Sequence, residues 1–416
     1  MTHHAVAPSR CRCCGSALEH TFCDLGMSPL ANSYRTVDDQ TATEAFYPLH
    51  VYVCGTCFLV QLPEAESPEA IFSDYAYFSS YSQSWLAHAE AYTRHMTALL
   101  DLGTTSQVVE IASNDGYLLQ FFAQQQIPVL GIEPAANVAS VAQKKGIPTR
   151  VAFFGANTAR ELRAEGVHAD LLLGNNVLAH VPRLHDFVEG LTILLKPDGV
   201  ITMEFPHLLR LMRQTQFDTI YHEHFSYFSL LAVEKVFAAH GLRLFDVTQL
   251  PTHGGSLRIF ASHDADVTHP VQPSVAALRS DEIAAGLDDL STYSDFSERV
   301  KRTKRSLLRF LIDARDRGET VVGYGAPAKG VTLLNYCGVR TDLLEYTVDL
   351  SPHKQHKMLP GVHIPIEAPD RIRETRPDYL LILPWNLKDE IMEQMAHIRT
   401  WGGAFVVPIP DLEILL

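Results

Sequence analysis

Six of the seven cysteines lie in the first sixth of the 416-residue chain, and four of them form two equally spaced pairs, Cys11-x2-Cys14 and Cys54-x2-Cys57. A two-residue gap lets consecutive thiolates converge on one tetrahedral ion, and two such knuckles supply four sulfurs and leave no open coordination position. The pattern predicts one structural Zn2+. Cys13 and Cys23 lie among the pairs and Cys337 stands alone, an odd and uneven set that does not suit a disulfide framework. A second concentration of reactive side chains is Tyr221-His222-Glu223-His224-Phe225. Histidine titrates near neutrality and suits a general base, and a phenol or carboxylate beside it can orient it. On a regular strand Tyr221 and Glu223 would face away from His222 and His224, so a shared pocket requires an irregular loop here.

Carboxylates mark a third place. In Val109-Glu110-Ile111-Ala112-Ser113-Asn114-Asp115-Gly116-Tyr117-Leu118 a β run passes through a small-residue turn into a helix, and Gly131-Ile132-Glu133-Pro134 sets another acid at the end of the next β run. Backbone can approach a ligand closely at such a turn, and the two oxygens of Glu133 suit the two hydroxyls of a ribose. Glu110 and Asp115 would repel a diphosphate but tolerate a cationic sulfonium and its ammonium. The fourth place is Gly323-x-Gly325-x2-Ala328, between a strand and a helix, with Asp349 at the end of the following strand. This is a dinucleotide-like fingerprint whose physical content is a diphosphate at a helix N-terminus, which a nucleotide sugar satisfies as well as a dinucleotide. Lys329 adds charge there, and Trp385 and Asn386 fall at the same sheet edge.

These groups need a scaffold, and the hydrophobic pattern supplies two. From Trp85 a helical stripe runs through Ala89, Tyr92, Met96 and Leu99, and strand runs follow at 108–111, 129–132, 170–173 and 199–203 with helical segments between. That βαβα order predicts a parallel, doubly wound sheet. A polar, proline-marked stretch from Ala261 to Pro273 reads as a linker. Beyond it come a helix over about 292–317, whose basic run reads as a solvated face, and a second α/β series with strands at 320–324, 344–348, 379–383 and 404–407. The fold class expected is α/β with two Rossmann-like domains, in the order 1–70 zinc-binding module, 71–265 first Rossmann-like domain and 266–416 second. The formal charge of −14 argues against a nucleic-acid partner, and no apolar run reaches membrane-spanning length. A cytoplasmic monomer is the expectation.

Glu110 to Gly116, Glu133, the segment Gly174-Asn175-Asn176-Val177-Leu178-Ala179-His180-Val181 and the turn Leu195-Lys196-Pro197-Asp198-Gly199-Val200 before Glu204-Phe205 resemble the class I S-adenosylmethionine methyltransferases. Together with the knuckles, Tyr221 to Phe225 and Gly323 to Gly330, the chain is similar over essentially its whole length to the zinc-containing sugar C-methyltransferases of antibiotic deoxysugar pathways. Within them it most resembles those acting at C-3 of a TDP-linked 3-amino-2,3,6-trideoxy-4-keto sugar. The resemblance implies S-adenosylmethionine held by Glu110, Ala112, Asn114, Gly116, Glu133, Pro134, Asn175 and Asn176. It implies a TDP-4-keto-deoxysugar held by Gly325, Ala326, Lys329, Trp385 and Asn386. It further implies His224 as base, Tyr221 and Glu223 orienting it or touching the sugar, His222 as a second-rank candidate, and His180 and Tyr75 as pocket residues. The chemistry has its own logic: a C–H carbon attacks a sulfonium methyl once a base removes its proton and a neighbouring carbonyl stores the charge as an enolate. An NAD-linked nucleotide-sugar oxidoreductase is the enzyme alternative, and a zinc-ribbon nucleic-acid methyltransferase a weaker one.

Overall fold

The computed structural model describes residues 9–36, 42–72 and 78–416. The chain divides into two compact units that interleave in sequence: unit 1 takes Met1–Glu19, Val53–Leu208 and Phe225–Leu290, and unit 2 takes His20–Tyr52, Leu209–His224 and Ser291–Leu416.

Unit 1 is built on strands β1 Val108–Ile111, β2 Val129–Ile132, β3 Thr149–Arg150, β4 Ala169–Asn175, β5 Leu195–Pro206, β6 Leu242–Leu250 and β7 Ser256–His263. Their order across the sheet is β3-β2-β1-β4-β5-β7-β6. The strands β3 to β5 run parallel, whereas β7 is antiparallel to both β5 and β6. The order reverses beside β1, so β1 and β4 diverge at their carboxyl ends and leave a crevice, the usual ligand position in a doubly wound sheet. Helix α1, Gln83–Leu99, starts where Ser82 Oγ accepts the Trp85 N–H at 3.2 Å, a cap worth about 1 kcal/mol. Its Ala89, Tyr92 and Met96 recur on one face and pack with Val108, Leu118, Phe122, Leu171, Leu173 and Val200. The Tyr92 hydroxyl, carried into this core, meets Thr202 Oγ1 at 2.6 Å, which satisfies a polar tip that would otherwise be costly to bury.

The proline-marked stretch before residue 273 is no free tether. Arg243 Nη2 donates to the carbonyls of Asp266 and His269, and the Gln272 N–H donates to Phe245 O. The helix Pro273–Ala284 that follows also belongs to unit 1, where buried Glu282 accepts the Leu230 and Leu231 N–H groups and pairs with His207 at 2.8 Å. The prolines mark turns, and the polar composition hid these backbone partners.

Unit 2 carries the second sheet: β8 Val321–Tyr324, β9 Thr347–Val348, β10 Ile366–Glu367, β11 Tyr379–Ile382, β12 Ala404–Val407 and β13 Glu413–Leu415. The order is β10-β9-β8-β11-β12-β13, parallel except for the last strand, again reversing beside its first strand. Strand β9 is shorter than the 344–348 run predicted, because Leu344 turns back to donate its N–H to Arg340 O. Helix α2, Phe296–Asp316, buries Phe296, Val300, Leu307 and Leu311, and Phe296 stacks on Phe22 of the N-terminal segment at 4.4 Å. Among the described residues no helix is long and apolar enough to cross a membrane.

Candidate active site and metal centre

The two cysteine knuckles are built alike. The Cys13 N–H donates to Cys11 Sγ and the Thr56 N–H to Cys54 Sγ, both at 3.4 Å. The residues after the second cysteines, Gly15 and Phe58, both take left-handed φ, 75° and 64°, and donate their N–H groups to the Cys11 and Cys54 carbonyls. The turns bring Cys11, Cys14, Cys54 and Cys57 together with all four sulfurs within 4.8 Å of one another. A tetrahedral zinc with bonds of ~2.3 Å needs sulfurs about 3.8 Å apart; Cys11–Cys57 and Cys14–Cys54 lie at 3.4 and 3.5 Å. The donor set fits a closed structural zinc. Arg12, between the first pair, donates to Phe225 O and to Leu62 O, and the short strand Val60–Gln61 pairs with Ser226–Tyr227. The knuckles thereby brace the start of the segment that follows the Tyr-His-Glu-His sequence.

At the carboxyl end of β1 the chain does not enter its helix directly. A turn through Ala112 to Leu118 intervenes and the helix begins only at Leu119. Ala112, Asn114 and Gly116 all take left-handed φ, 55°, 50° and 76°, as does Asn176 at 56° beyond β4. Two non-glycine residues in that region within one short turn, Ala112 and Asn114, store strain of the kind found at ligand clamps. The bends are held from below by Glu133, whose Oε2 accepts the Asn114 N–H at 3.0 Å and whose Oε1 accepts the Ala135 N–H at 2.9 Å. Each oxygen keeps a second lone pair for a ribose hydroxyl. Burial raises the Glu133 pKa and the two N–H donors pull it back. Pro134 follows directly and fixes the exit from β2. Gly131 lets the turn approach β2, since a Cβ there would strike Ser113 Oγ.

Glu110 lies near the end of β1, buried, and burial and the Glu133 charge push its pKa well above the ordinary value although the Tyr117 hydroxyl pulls it back. A buried acid in this crevice with no cation beside it is what a cationic sulfonium with an ammonium would relieve, so the residues fit S-adenosylmethionine. Across the crevice Asn175 Nδ2 lies 3.4 Å from the Tyr117 hydroxyl, and Asn176 Nδ2 lies 3.1 Å from His253 Nε2. Trp85 stacks near Tyr117 and meets His253 edge-on. Sequence reasoning missed Trp85 as more than a core residue and did not see the charged cluster beneath it, in which buried Glu204 takes Arg258 Nη2 at 2.6 Å and His88 Nε2 at 2.9 Å. Burial alone would raise the Glu204 pKa, but the His88 hydrogen bond and the Arg258 charge outweigh it and bring it to about 2. His180 ends a 3₁₀ turn, Leu178–His180, with its ring 5.6 Å from Phe72. Tyr75 lies outside the described residues.

In unit 2, residues 217–224 form the irregular loop that the Tyr-His-Glu-His spacing required. A 3₁₀ turn, Phe217–Thr219, leads into a second turn in which the His224 N–H donates to Tyr221 O. His224 Nδ1 lies 2.8 Å from the Thr219 carbonyl, which can only accept, so Nδ1 carries the proton and Nε2 is the basic nitrogen. Tyr221 packs on the His224 ring at 4.1 Å between centroids. Glu223 is buried and accepts from Asn32 Nδ2 at 2.6 Å. His222 is buried against Tyr47, and burial lowers its pKa while the Pro48 and Tyr47 backbone pulls the other way. Two ties hold the loop: Trp385 Nε1 donates to Asp218 Oδ2 at 2.7 Å and Thr332 Oγ1 donates to Ile220 O at 2.9 Å.

The glycine-rich turn of the second sheet meets the same network. Asn32 leads to Tyr34, whose hydroxyl donates to Ala326 O at 2.6 Å, and Lys354 Nζ donates to the same carbonyl. The Ala326 N–H is taken by Asp349 Oδ2 at 2.7 Å, and Gly325, at φ 88°, leaves room for Pro384. Lys329 turns toward Asn386 Oδ1 at 2.7 Å and lies 4.5 Å from the Trp385 ring. The structure thus gathers Tyr221, Glu223, His224, Gly325, Ala326, Lys329, Trp385 and Asn386 in one unit and the proposed donor residues with His180 in the other. Asn32, Tyr34 and Asp218 were not legible in advance, because no local motif surrounds them.

Comparison with known proteins agrees with this layout. Residues 11–72 match a zinc binding domain model, 85–247 a methyltransferase domain, and 251–410 a C-methyltransferase C-terminal domain. The C-methyltransferase NovU of Streptomyces niveus is 37% identical over 408 residues, covering 97% of this chain and 96% of that protein. Among solved structures, magnesium protoporphyrin IX methyltransferase (ChlM) from Synechocystis PCC 6803 with bound SAH is 17% identical, covering 43% of this chain and 83% of its own, TM-score 0.34. The CcbJ methyltransferase from Streptomyces caelestis is 10% identical over 42% of this chain and 89% of its own, TM-score 0.34. A four-sulfur centre, a donor crevice in a β3-β2-β1-β4-β5-β7-β6 sheet and a relative matched nearly end to end lead to one conclusion: the chain belongs to the zinc-containing, S-adenosylmethionine-dependent C-methyltransferases.

Proposed function

We propose that the enzyme transfers the methyl group of S-adenosylmethionine to C-3 of a TDP-linked 4-keto deoxysugar, with a 3-amino sugar as the preferred acceptor. The observation that supports this most is the hydrogen bond from His224 Nδ1 to the Thr219 carbonyl. It orients Nε2 as the nitrogen that can act as base, in a loop that also holds a phenol and a carboxylate. His224 Nε2 takes the C-3 proton, and the electron pair moves into the C-3–C-4 bond and onto the C-4 oxygen as an enolate. That oxygen is met by a hydrogen-bond donor, for which the Tyr221 hydroxyl is the candidate. S-Adenosylmethionine supplies the electrophilic methyl: C-3 bonds to it as the S–CH3 bond breaks, the 4-keto group re-forms, and His224 returns its proton to solvent.

In this reading Glu110, Ala112, Asn114, Gly116, Glu133, Pro134, Asn175 and Asn176 hold the donor, and Gly325, Ala326, Lys329, Trp385 and Asn386 contact the nucleotide sugar. Glu223 acts through Asn32 and the turn rather than as a second base, His222 serves the packing of the loop, and His180 and Tyr75 stay proposed pocket residues. The test is incubation with methyl-labelled donor and a panel of TDP sugars. Label should enter C-3 of 4-keto substrates and of no 4-hydroxy analogue; label in a 4-hydroxy sugar, or on oxygen or nitrogen, would contradict the enolate route.

A further inference from the structure

Within unit 2, helix α2, the loop after β12 and the segment before Phe217 enclose a cavity of about 200 Å³. Three arginines, Arg213, Arg299 and Arg302, line it together with Thr215, Thr303 and Ser306, and Asp411 is the one acid of the lining. Among the described residues none of the three guanidiniums lies within ion-pair distance of a carboxylate, although exposed arginines nearby such as Arg305 do find one. Arg299 Nε is buried without a hydrogen-bond partner. Burial lowers the Arg299 pKa, the Asp295 charge works against it, and Arg302 adds to the lowering. In a chain of net charge −14, three arginines around one cavity with no carboxylate at ion-pair distance are conspicuous, since partners were plentiful. Guanidinium forks and hydroxyl donors together match the oxygens of a phosphate.

The glycine-rich turn is poorly furnished for that task. Its Ala326 N–H is spent on Asp349, that carboxylate stands where a diphosphate would need cations, and Lys329 is turned toward Asn386 and Trp385. The cavity is smaller than the ~300–1,000 Å³ of pockets that take a whole ligand, which suits a charged group rather than a complete nucleotide. We propose that Arg213, Arg299 and Arg302 form an oxyanion site for a phosphate or diphosphate group. Resting on the nucleotide-sugar reading, the substrate's own diphosphate is one source of that chemistry; a free phosphorylated metabolite is the other.

The experiment is calorimetric binding of inorganic pyrophosphate, and separately of TDP, to the full-length protein and to Arg213→Gln, Arg302→Gln and Arg302→Lys. Arg213 and Arg302 are exposed, so these variants should unfold at the wild-type temperature. Each Gln variant should weaken pyrophosphate at least tenfold, with Lys recovering part of the loss. A parallel loss of TDP affinity assigns the site to the substrate's diphosphate, and unchanged TDP affinity assigns it to a free phosphate compound; both support an oxyanion site. Pyrophosphate that fails to bind wild type, or binds the Gln variants within twofold of it, overturns the proposal. Should TDP fail to bind anywhere while pyrophosphate still depends on the arginines, the nucleotide-sugar reading falls and the oxyanion site stands.

Discussion

At the scale of single residues, two carboxylates separate the account from a generic scaffold. Glu133 spends one lone pair of each oxygen on the turn and is proposed to offer the others to the ribose. Glu133→Ala should weaken S-adenosylmethionine binding by about 1.5–3 kcal/mol, the worth of hydrogen bonds to a charged acceptor, while TDP affinity holds; equal weakening of both would mean general destabilisation. Asp218 is different. Burial raises its pKa to about 6 against an ordinary 3.8, with the Lys329 charge and the Trp385 N–H pulling the other way. A folded-state pKa above the unfolded one means that the stability contributed by protonation is full below pH 3.8 and is lost as pH rises through about 6. Asp218→Asn cannot titrate, so urea unfolding should show the gap between variant and wild type drift in the variant's favour from pH 5 to 7 and then level off. A constant gap across that range would show that Asp218 does not change charge there.

At the scale of elements, the sequence carried the strands and the metal turns well, because both depend on local pattern. The apolar runs at 108–111, 129–132 and 404–407 appear as strands at those bounds. The two-residue cysteine gaps became matched knuckles with sulfurs close enough for one ion. The turn between β1 and its helix was located but not shaped: Asn114 alone hints at left-handed backbone, and Ala112 takes it where Glu133 and the close approach of β2 hold the turn. The basic helix face was read as solvated, and Lys301, Arg302, Arg305 and Arg309 are exposed; that Arg302 also borders a cavity with Arg299 depends on the loop after β12 far along the chain. For the knuckles, Cys54→Ser should release the zinc and loosen the Arg12 contacts to Phe225 O and Leu62 O. Metal analysis of the purified variant checks this, and full retention of zinc would show that the ligand set is wrong.

At the scale of the whole molecule, the residues proposed to carry chemistry sort by unit in a way that sequence order conceals. The chain leaves unit 1 at Leu208, contributes residues 209–224 to unit 2, and returns at Phe225, so the loop bearing His224 is folded with the second sheet although it lies between strands of the first. Asn32 and Tyr34 join the same unit from the opposite end of the chain, and no periodicity could have announced that meeting. Consecutive segments of 1–70, 71–265 and 266–416 remain our proposal for how the modules follow one another along the chain. The central claim is that His224 removes the C-3 proton before methyl transfer. Its most direct test is solvent deuterium exchange at C-3 of the TDP-4-keto sugar, with S-adenosylhomocysteine in the donor site so that no methyl can move. Wild type should wash deuterium into C-3, and His224→Asn should bind both ligands yet lose exchange and turnover by about 10² to 10⁴, the usual contribution of a general base; exchange at the wild-type rate in His224→Asn would contradict it.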